Sequence, residues 1–443
     1  MYEYSSSFKN QLDIFETSLP FAGGLDRTNR WITLSKLINW KEFEKIYAQT
    51  FSKRGRSGIK ARIVIGTLIL KHKLELSDRE IAQQLTENPY LQIFIGLNEF
   101  TTISPFDSST LTNVRKRMGE NEFEKFEIEI IKELQKKKLI KPKGFLVDAT
   151  VIESEITFPT DCGLLNKVRK FLVENIKNIG KTTNKKMRTY CRKAQKEYLN
   201  FNKKRKKTKK QIRRMQKSLL QYVRRNIKQM KELTAHVQES GVAISKKIVD
   251  KFELAKKIYK QQKTMYDNKV KTIESRIVSF HKDYVRPMVR GKSGKNVEFG
   301  SKVSMAYVDG YLFVDQYSTD SFNESKYLKQ SVDNFKERFN KKPNYVAMDN
   351  IYGTRENRKY LNDEKIKTSV KALGRKRLNQ SQDKDCRWRR SKQKERNRIE
   401  GAFGHVKSKY LLGKVRAKLP ETEYSWLRMA LLSHNLVTAS KRA

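Results

Sequence analysis

Three acids stand in stretches where acid is costly or crowded by bases. Residues 394–410, KERNRIEGAFGHVKSKY, place Glu400 among cations at helical spacing. An α-helix turns about 100° per residue, so Arg396, Glu400 and Lys407 share one narrow face. A lone carboxylate flanked by cations suits a phosphate-and-metal site, and it equally suits a surface helix with an i,i+4 Arg–Glu ion pair. The choice is weighed upstream. Asp148 interrupts GFLVDATV (residues 144–151), whose apolar and β-branched run predicts a buried central strand. Asp349 ends a second short run, YVAM (residues 345–348). A carboxylate in or beside a buried strand is expensive unless something pairs with it, which makes each a site candidate; a plain strand-end cap is the other reading.

The rest of the chain says what such a site would act on. Its 443 residues, 37% hydrophobic and 10% aromatic, suffice for two or three globular domains. Lys and Arg number 96 against 48 Asp and Glu, a formal charge of +48 that favours a polyanion, nucleic acid first. The longest aliphatic run, residues 63–70, is too short for a membrane span and residues 1–10 lack a signal-peptide pattern, so a cytoplasmic, nucleoid-associated protein is expected. Cys162, Cys191 and Cys386 are odd in number and widely spaced, which suggests neither a disulfide framework nor a zinc site.

The elements that must position the acids follow in order. Residues 1–135 read as an all-α domain: one amphipathic helix through Trp31 to Tyr47, a second over 58–74, and a third, 78–85, opened by the capping box Ser77-Asp78-Arg79-Glu80. This helix-turn-helix-like layout is a candidate for DNA binding, or a bundle that supports the rest. Residues 166–294 read as a basic, coiled-coil-like helical insertion: 181–230 hold twenty Lys or Arg and one acid, Glu197. Its densest block, FNKKRKKTKK, contains Lys203, Lys204, Arg205, Lys206 and Lys207 and is expected to be a DNA-facing turn. After it come two strands joined at Asp309-Gly310, a helix over 321–339, the strand ending at Asp349, a helix over 355–361, a strand over 366–373, the helix of Glu400, and a last helix, 424–437, beyond a break at Pro420. Segments 144–165 and 295–443 together give the element order of a ribonuclease-H-like α/β domain with a mixed sheet flanked by helices. That topology brings Asp148, Asp349 and Glu400 to one edge, where divalent ions would compensate them; oxygen-only ligands suit Mg²⁺, two ions being expected, or Mn²⁺.

At these residues the chain resembles the DDE transposases of bacterial insertion sequences, most closely the groups catalogued as five and eleven eighty-two. The resemblance runs through GRSGIKARIVIGTLILKHKLELSDREIAQQLTENPYLQIFIGL, LVDATVIESEITFPTDCGLLN, AMDNIYGTRENRKYL and RNRIEGAFGHVKSKYLLGKVRAK. The family's Y-x2-R-x3-E-x6-K signature falls on Arg396, Glu400 and Lys407, with Gln393 at the tyrosine position. Its D-x-G-Y falls on Asp349 and Tyr352, with Ile351 for the glycine. The resemblance implies metal-dependent cleavage at the ends of a mobile element and transfer of the freed 3′-hydroxyls into target DNA. Asp148, Asp349 and Glu400 would be catalytic and hold the metals, while Arg396, Lys407 and Tyr352 would contact DNA. Partners would be double-stranded terminal inverted repeats and target DNA, and holding two ends calls for at least a homodimer. A ribonuclease-H-like nuclease that cuts without joining, a DNA-binding protein that has lost the chemistry, and a basic coat protein are the competing readings.

Overall fold

The computed structural model describes residues 2, 11–20, 23–52, 57–239, 244–289, 297–371, 373–374 and 384–443. Two compact units emerge, Met1–Glu155 with Ser301–Ala443, and Ile156–Gly300.

The first unit begins with helices α1 (Gln11–Thr17), α2 (Arg30–Ser35), α3 (Trp40–Ala48), α4 (Ala61–Leu74), α5 (Asp78–Glu87), α6 (Pro89–Phe94), α7 (Thr110–Arg117) and α8 (Glu120–Lys136). The single helix expected through Trp31 and Tyr47 is two, because the Asn39 side chain accepts from the Glu42 amide and starts α3 afresh. The capping box forms as its spacing predicts, Ser77 accepting from the Glu80 amide and Glu80 returning the bond. Asp78, the first residue of α5, takes Lys71 at 2.6 Å and Arg115. Both cations are buried, so Arg115 of the basic helix α7 is tied inside rather than offered to a partner. The apolar faces of α2 to α8 join the core that also holds Ala306, Tyr311, Phe335, Val346 and Met429, while Phe15 of α1 packs with Ile32 and Ile93.

Strand β1 (Phe145–Glu153) is central in the sheet. In the second unit α9 (Asp161–Thr182), α10 (Cys191–Lys203), α11 (Lys209–Glu239) and α12 (Lys246–Asp267) form a helical bundle. The α11 stripe Met215, Leu219, Val223, Met230 and Leu233 is buried with Leu165, Val168 and Leu172 of α9. Asp161 anchors this unit through Arg276 (2.7 Å), Gln216 and Gln262. The unit closes with β2 (Arg286–Val289), paired antiparallel with the start of β3 (Val297–Val308).

The chain returns along β3 into β4 (Tyr311–Ser318), and at their turn Asp309 (φ 47°) and Gly310 (φ 96°) are both left-handed, the conformation a two-residue hairpin requires. A 3₁₀ turn, Glu324–Tyr327, leads into α13 (Leu328–Phe339), then β5 (Tyr345–Met348), α14 (Arg355–Asp363), β6 (Lys367–Thr368), α15 (Lys384–Lys409) and α16 (Pro420–Ser440). β5 and then β6 flank β1 on one side in parallel, β3 lies on the other, and β4 pairs with β3, an order consistent with a ribonuclease-H-like domain. The strand expected over 366–373 shrinks to two residues; its residue 372 lies outside the described residues. The Ser369 hydroxyl takes over the ladder, accepting from the Met348 amide at 3.0 Å. Pro420 does not break the last helix but opens it at the first position, where its missing N–H costs nothing.

Candidate active site

The acids are placed by the sheet and by α15. Val147 of β1 and Met348 of β5 are register partners, so Asp148 and Asp349 are the next residues along two neighbouring parallel strands. Asp349 remains extended (φ −73°, ψ 159°), and its carboxylate caps a 3₁₀ turn, accepting from the Asn350 amide at 2.6 Å. Opposite them α15 buries Ile399, Phe403 and Val406, spaced i, i+4 and i+7, which turns Arg396, Glu400 and Lys407 toward the neighbouring face.

Arg396 connects these groups. Its Nη1 donates to Asp148 Oδ2 at 3.0 Å and its Nη2 lies 3.3 Å from Glu400 Oε1. Burial pushes the Asp148 carboxyl up to about 6, with Glu324 and Glu400 adding to the shift, while the Ala149 amide and Arg396 oppose it. Lys407 Nζ donates to the buried Thr150 hydroxyl at 2.8 Å, two residues along β1 from Asp148. Among the described residues no three His, Cys, Asp or Glu side chains stand close enough to enclose a metal ion. Glu400 is turned to Arg396 and Asp349 to its own helix cap, so the acids share a region without forming a closed ligand shell.

Tyr352 departs from expectation. Its side chain is fully buried, with its hydroxyl facing that of Ser304, so it does not lie where a DNA phosphate can reach it. The reason is local: the 3₁₀ turn after Asp349 points Tyr352 into the core and leaves Ile351 exposed. In the second unit Lys203, Lys204, Arg205 and Lys206 are solvent-exposed between α10 and α11. Lys207 instead closes that turn, donating to Lys204 O at 2.8 Å.

Other contributors carried little sequence signal. Glu324, paired with Lys302 at 2.8 Å, comes near Asp148 from a 3₁₀ turn with no strand pattern. Gln393 stands one helical turn before Arg396. With its amide nitrogen toward Ser369 Oγ (3.1 Å) and Met348 O (3.3 Å), its oxygen accepts from Arg396 Nε at 3.2 Å. Only its i−3 spacing from Arg396 hinted at that role.

Two family models match parts of the chain, neither of which includes Asp148. Residues 22–117 match the model of a transposase domain (DUF772), and residues 346–437, which include Asp349, Arg396, Glu400 and Lys407, match that of a transposase DDE domain. A protein described as uncharacterized protein ORF8 in the nfe locus of Rhizobium meliloti is 32% identical over 152 residues, 34% of this chain and 73% of its own. No solved structure matches the chain significantly. The mixed sheet and the two domain matches define a DNA transposase. The chain belongs to the DDE transposases of insertion sequences. No helix among the described residues is long and apolar enough to cross a membrane.

Proposed function

We propose that this ribonuclease-H-like transposase cleaves DNA at the ends of its element and joins the freed 3′-hydroxyls to target DNA, with Asp148, Asp349 and Glu400 as the catalytic carboxylates. The observation that carries the reading is the placement of Asp148 and Asp349 at adjacent strand positions with Arg396 spanning Asp148 and Glu400. The donor set fits a hard divalent ion: all-oxygen, anionic, and including a carboxylate whose burial demands a counter-charge. Two Mg²⁺ ions, or Mn²⁺ in their place, would supply Lewis-acid activation of the attacking oxygen and charge stabilisation of the leaving one. The protein's own part is positional. β1 and β5 fix two carboxylates against sliding, and α15 supplies the third on a face shared with two cations. Lys407 and Arg396 hold backbone phosphates, contacts that orient DNA without reading its sequence.

The remaining assignments belong to the same proposal. Residues 1–135 form the DNA-end-binding region, and 166–294 a basic helical insertion whose turn at Lys203, Lys204, Arg205 and Lys206 tracks phosphates. The assembly is at least a homodimer that synapses two terminal repeats, and it works in the cytoplasm on the nucleoid. A labelled terminal-repeat duplex incubated with Mg²⁺ tests the reading: the wild type nicks it and joins a pre-cleaved end to plasmid, while Asp349→Asn binds the duplex without cutting it. Cutting without joining would leave the nuclease reading standing; equal cutting by Asp349→Asn would remove that residue from the site.

A further inference from the structure

Arg396 fills all three of its guanidinium nitrogens in the DNA-free chain. Nη1 meets Asp148, Nη2 meets Glu400, and Nε meets the Gln393 amide oxygen once that amide is assigned with its nitrogen toward Ser369 and Met348, the orientation that satisfies both its ends. The side chain is only 14% exposed, whereas Glu400 is 47% exposed and, among the described residues, held by this one long contact. Gln393 is itself fixed at the end of β5 through Met348 O and Ser369 Oγ, one residue before Asp349. In the orientation where Nη1 and Nη2 face the two carboxylates, Nε points elsewhere, and Gln393 is the acceptor that favours it.

We propose that Arg396 is a built-in competitor for the metal, held between Asp148 and Glu400 by Gln393 as a positioning residue, and that DNA phosphate draws it away, so that DNA and divalent ion bind cooperatively. The proposal rests on the reading that these carboxylates hold the ion. A cation already seated between two of the three acids repels a second one and occupies oxygens the ion would use. A phosphate, offering bidentate acceptance without a fixed place in the fold, is the exchange partner a guanidinium favours. Linkage then works both ways: whatever factor DNA adds to metal affinity, metal adds to DNA affinity. The consequence is a transposase whose acids close around metal chiefly when an end is in place, which limits idle hydrolysis. A purely structural Arg396 would show none of this coupling.

Mn²⁺ binding to the full-length protein, followed by electron paramagnetic resonance with and without a terminal-repeat duplex, reads the coupling without any turnover. The expected wild-type affinity rises about 10- to 100-fold when duplex is added, the usual span of coupling between sites. Arg396→Met binds Mn²⁺ tighter without DNA by a similar factor and gains little from DNA. Gln393→Leu, which frees Nε but keeps the charge, lies between the two. Unchanged or weaker DNA-free binding in both variants overturns the proposal, and if Arg396→Met does not fold, Gln393→Leu and Arg396→Lys decide it. Asp148→Asn and Asp349→Asn separate the two failures: if neither weakens Mn²⁺ binding, the ion is not at these carboxylates and the functional reading itself falls.

Discussion

Asp148 and Asp349 lie 201 positions apart in sequence, yet Asp148 on β1 and Asp349 just past the end of the parallel strand β5 each follow one member of the Val147–Met348 register pair. Residues at matched register on parallel strands point to the same face, with strands about 4.8 Å apart. Replacing either with Asn preserves shape and removes charge. Each substitution is expected to lower Mg²⁺-dependent end cleavage by more than about 100-fold, beyond the loss typical of groups that only support metal ligands. End binding, measured by gel shift, should persist; a variant that cuts normally would exclude its residue from the chemistry.

Tyr352 gives a sharper contrast, because the family resemblance places it at DNA and the fold places it inside. Its buried hydroxyl faces Ser304, so Tyr352→Phe removes a polar burial together with one weak contact. Stability should change by no more than about 1 kcal/mol, and end-DNA affinity should not move. A clear loss of DNA affinity at unchanged stability would show that Tyr352 swings out on binding.

How much of this was legible in the sequence depends on whether the signal was local. The capping box at Ser77 and the Asp309-Gly310 turn are set by neighbours within a few residues, and they fold as read. The split before α3 is invisible to apolar periodicity, which continues from Trp31 to Tyr47 across Asn39, the one polar side chain that caps the new helix. The contact of Arg396 with Asp148 spans 248 residues, and the part played by Gln393 needs the end of β5 beside it. No periodicity encodes either, and Tyr352 was misplaced for a related reason: one 3₁₀ turn decides whether it faces water or core.

The Asp78 carboxylate neutralises two buried cations, Lys71 at 2% exposure and Arg115 at 4%. Lys71 also lies 4.0 Å over the Trp426 ring, so the cluster joins α4, α5 and α7 to α16. Asp78→Ala leaves both charges without their acid and should cost about 3–5 kcal/mol in urea unfolding. A loss under about 1 kcal/mol would mean that water reaches the cations.

The exposed turn between α10 and α11 makes a quantitative claim on salt. If Lys203, Lys204, Arg205 and Lys206 each neutralise a phosphate, changing all four to Gln makes the slope of log affinity against log salt shallower by roughly 3–4, about 0.9 per contact. Lys207, occupied by the Lys204 carbonyl, is expected to add little. An unchanged slope would assign the turn to something other than duplex DNA.

Acid should loosen the far end of the helix that carries Glu400. His72 is buried with a ring nitrogen 3.1 Å from the Tyr410 carbonyl, just past α15, and burial together with Lys71 and Arg115 pushes it down to about 3 against the pull of that carbonyl and Asp78. His434, whose ring centre is 5.4 Å from that of Tyr410, is pushed down to about 4 by burial and by His405, Lys441 and Lys73. Both stay neutral in the fold while the unfolded chain takes up protons near 6.5. Their contribution is therefore complete above about 6.5 and is lost as pH falls toward 3–4. At pH 5 each costs about 2 kcal/mol relative to pH 8. Urea unfolding of the wild type and of His72→Gln with His434→Gln at the two pH values isolates the effect, since carboxylates titrate in both proteins. The double variant should lose about 4 kcal/mol less than the wild type on acidification; equal losses would show that the histidines are already protonated in the native state.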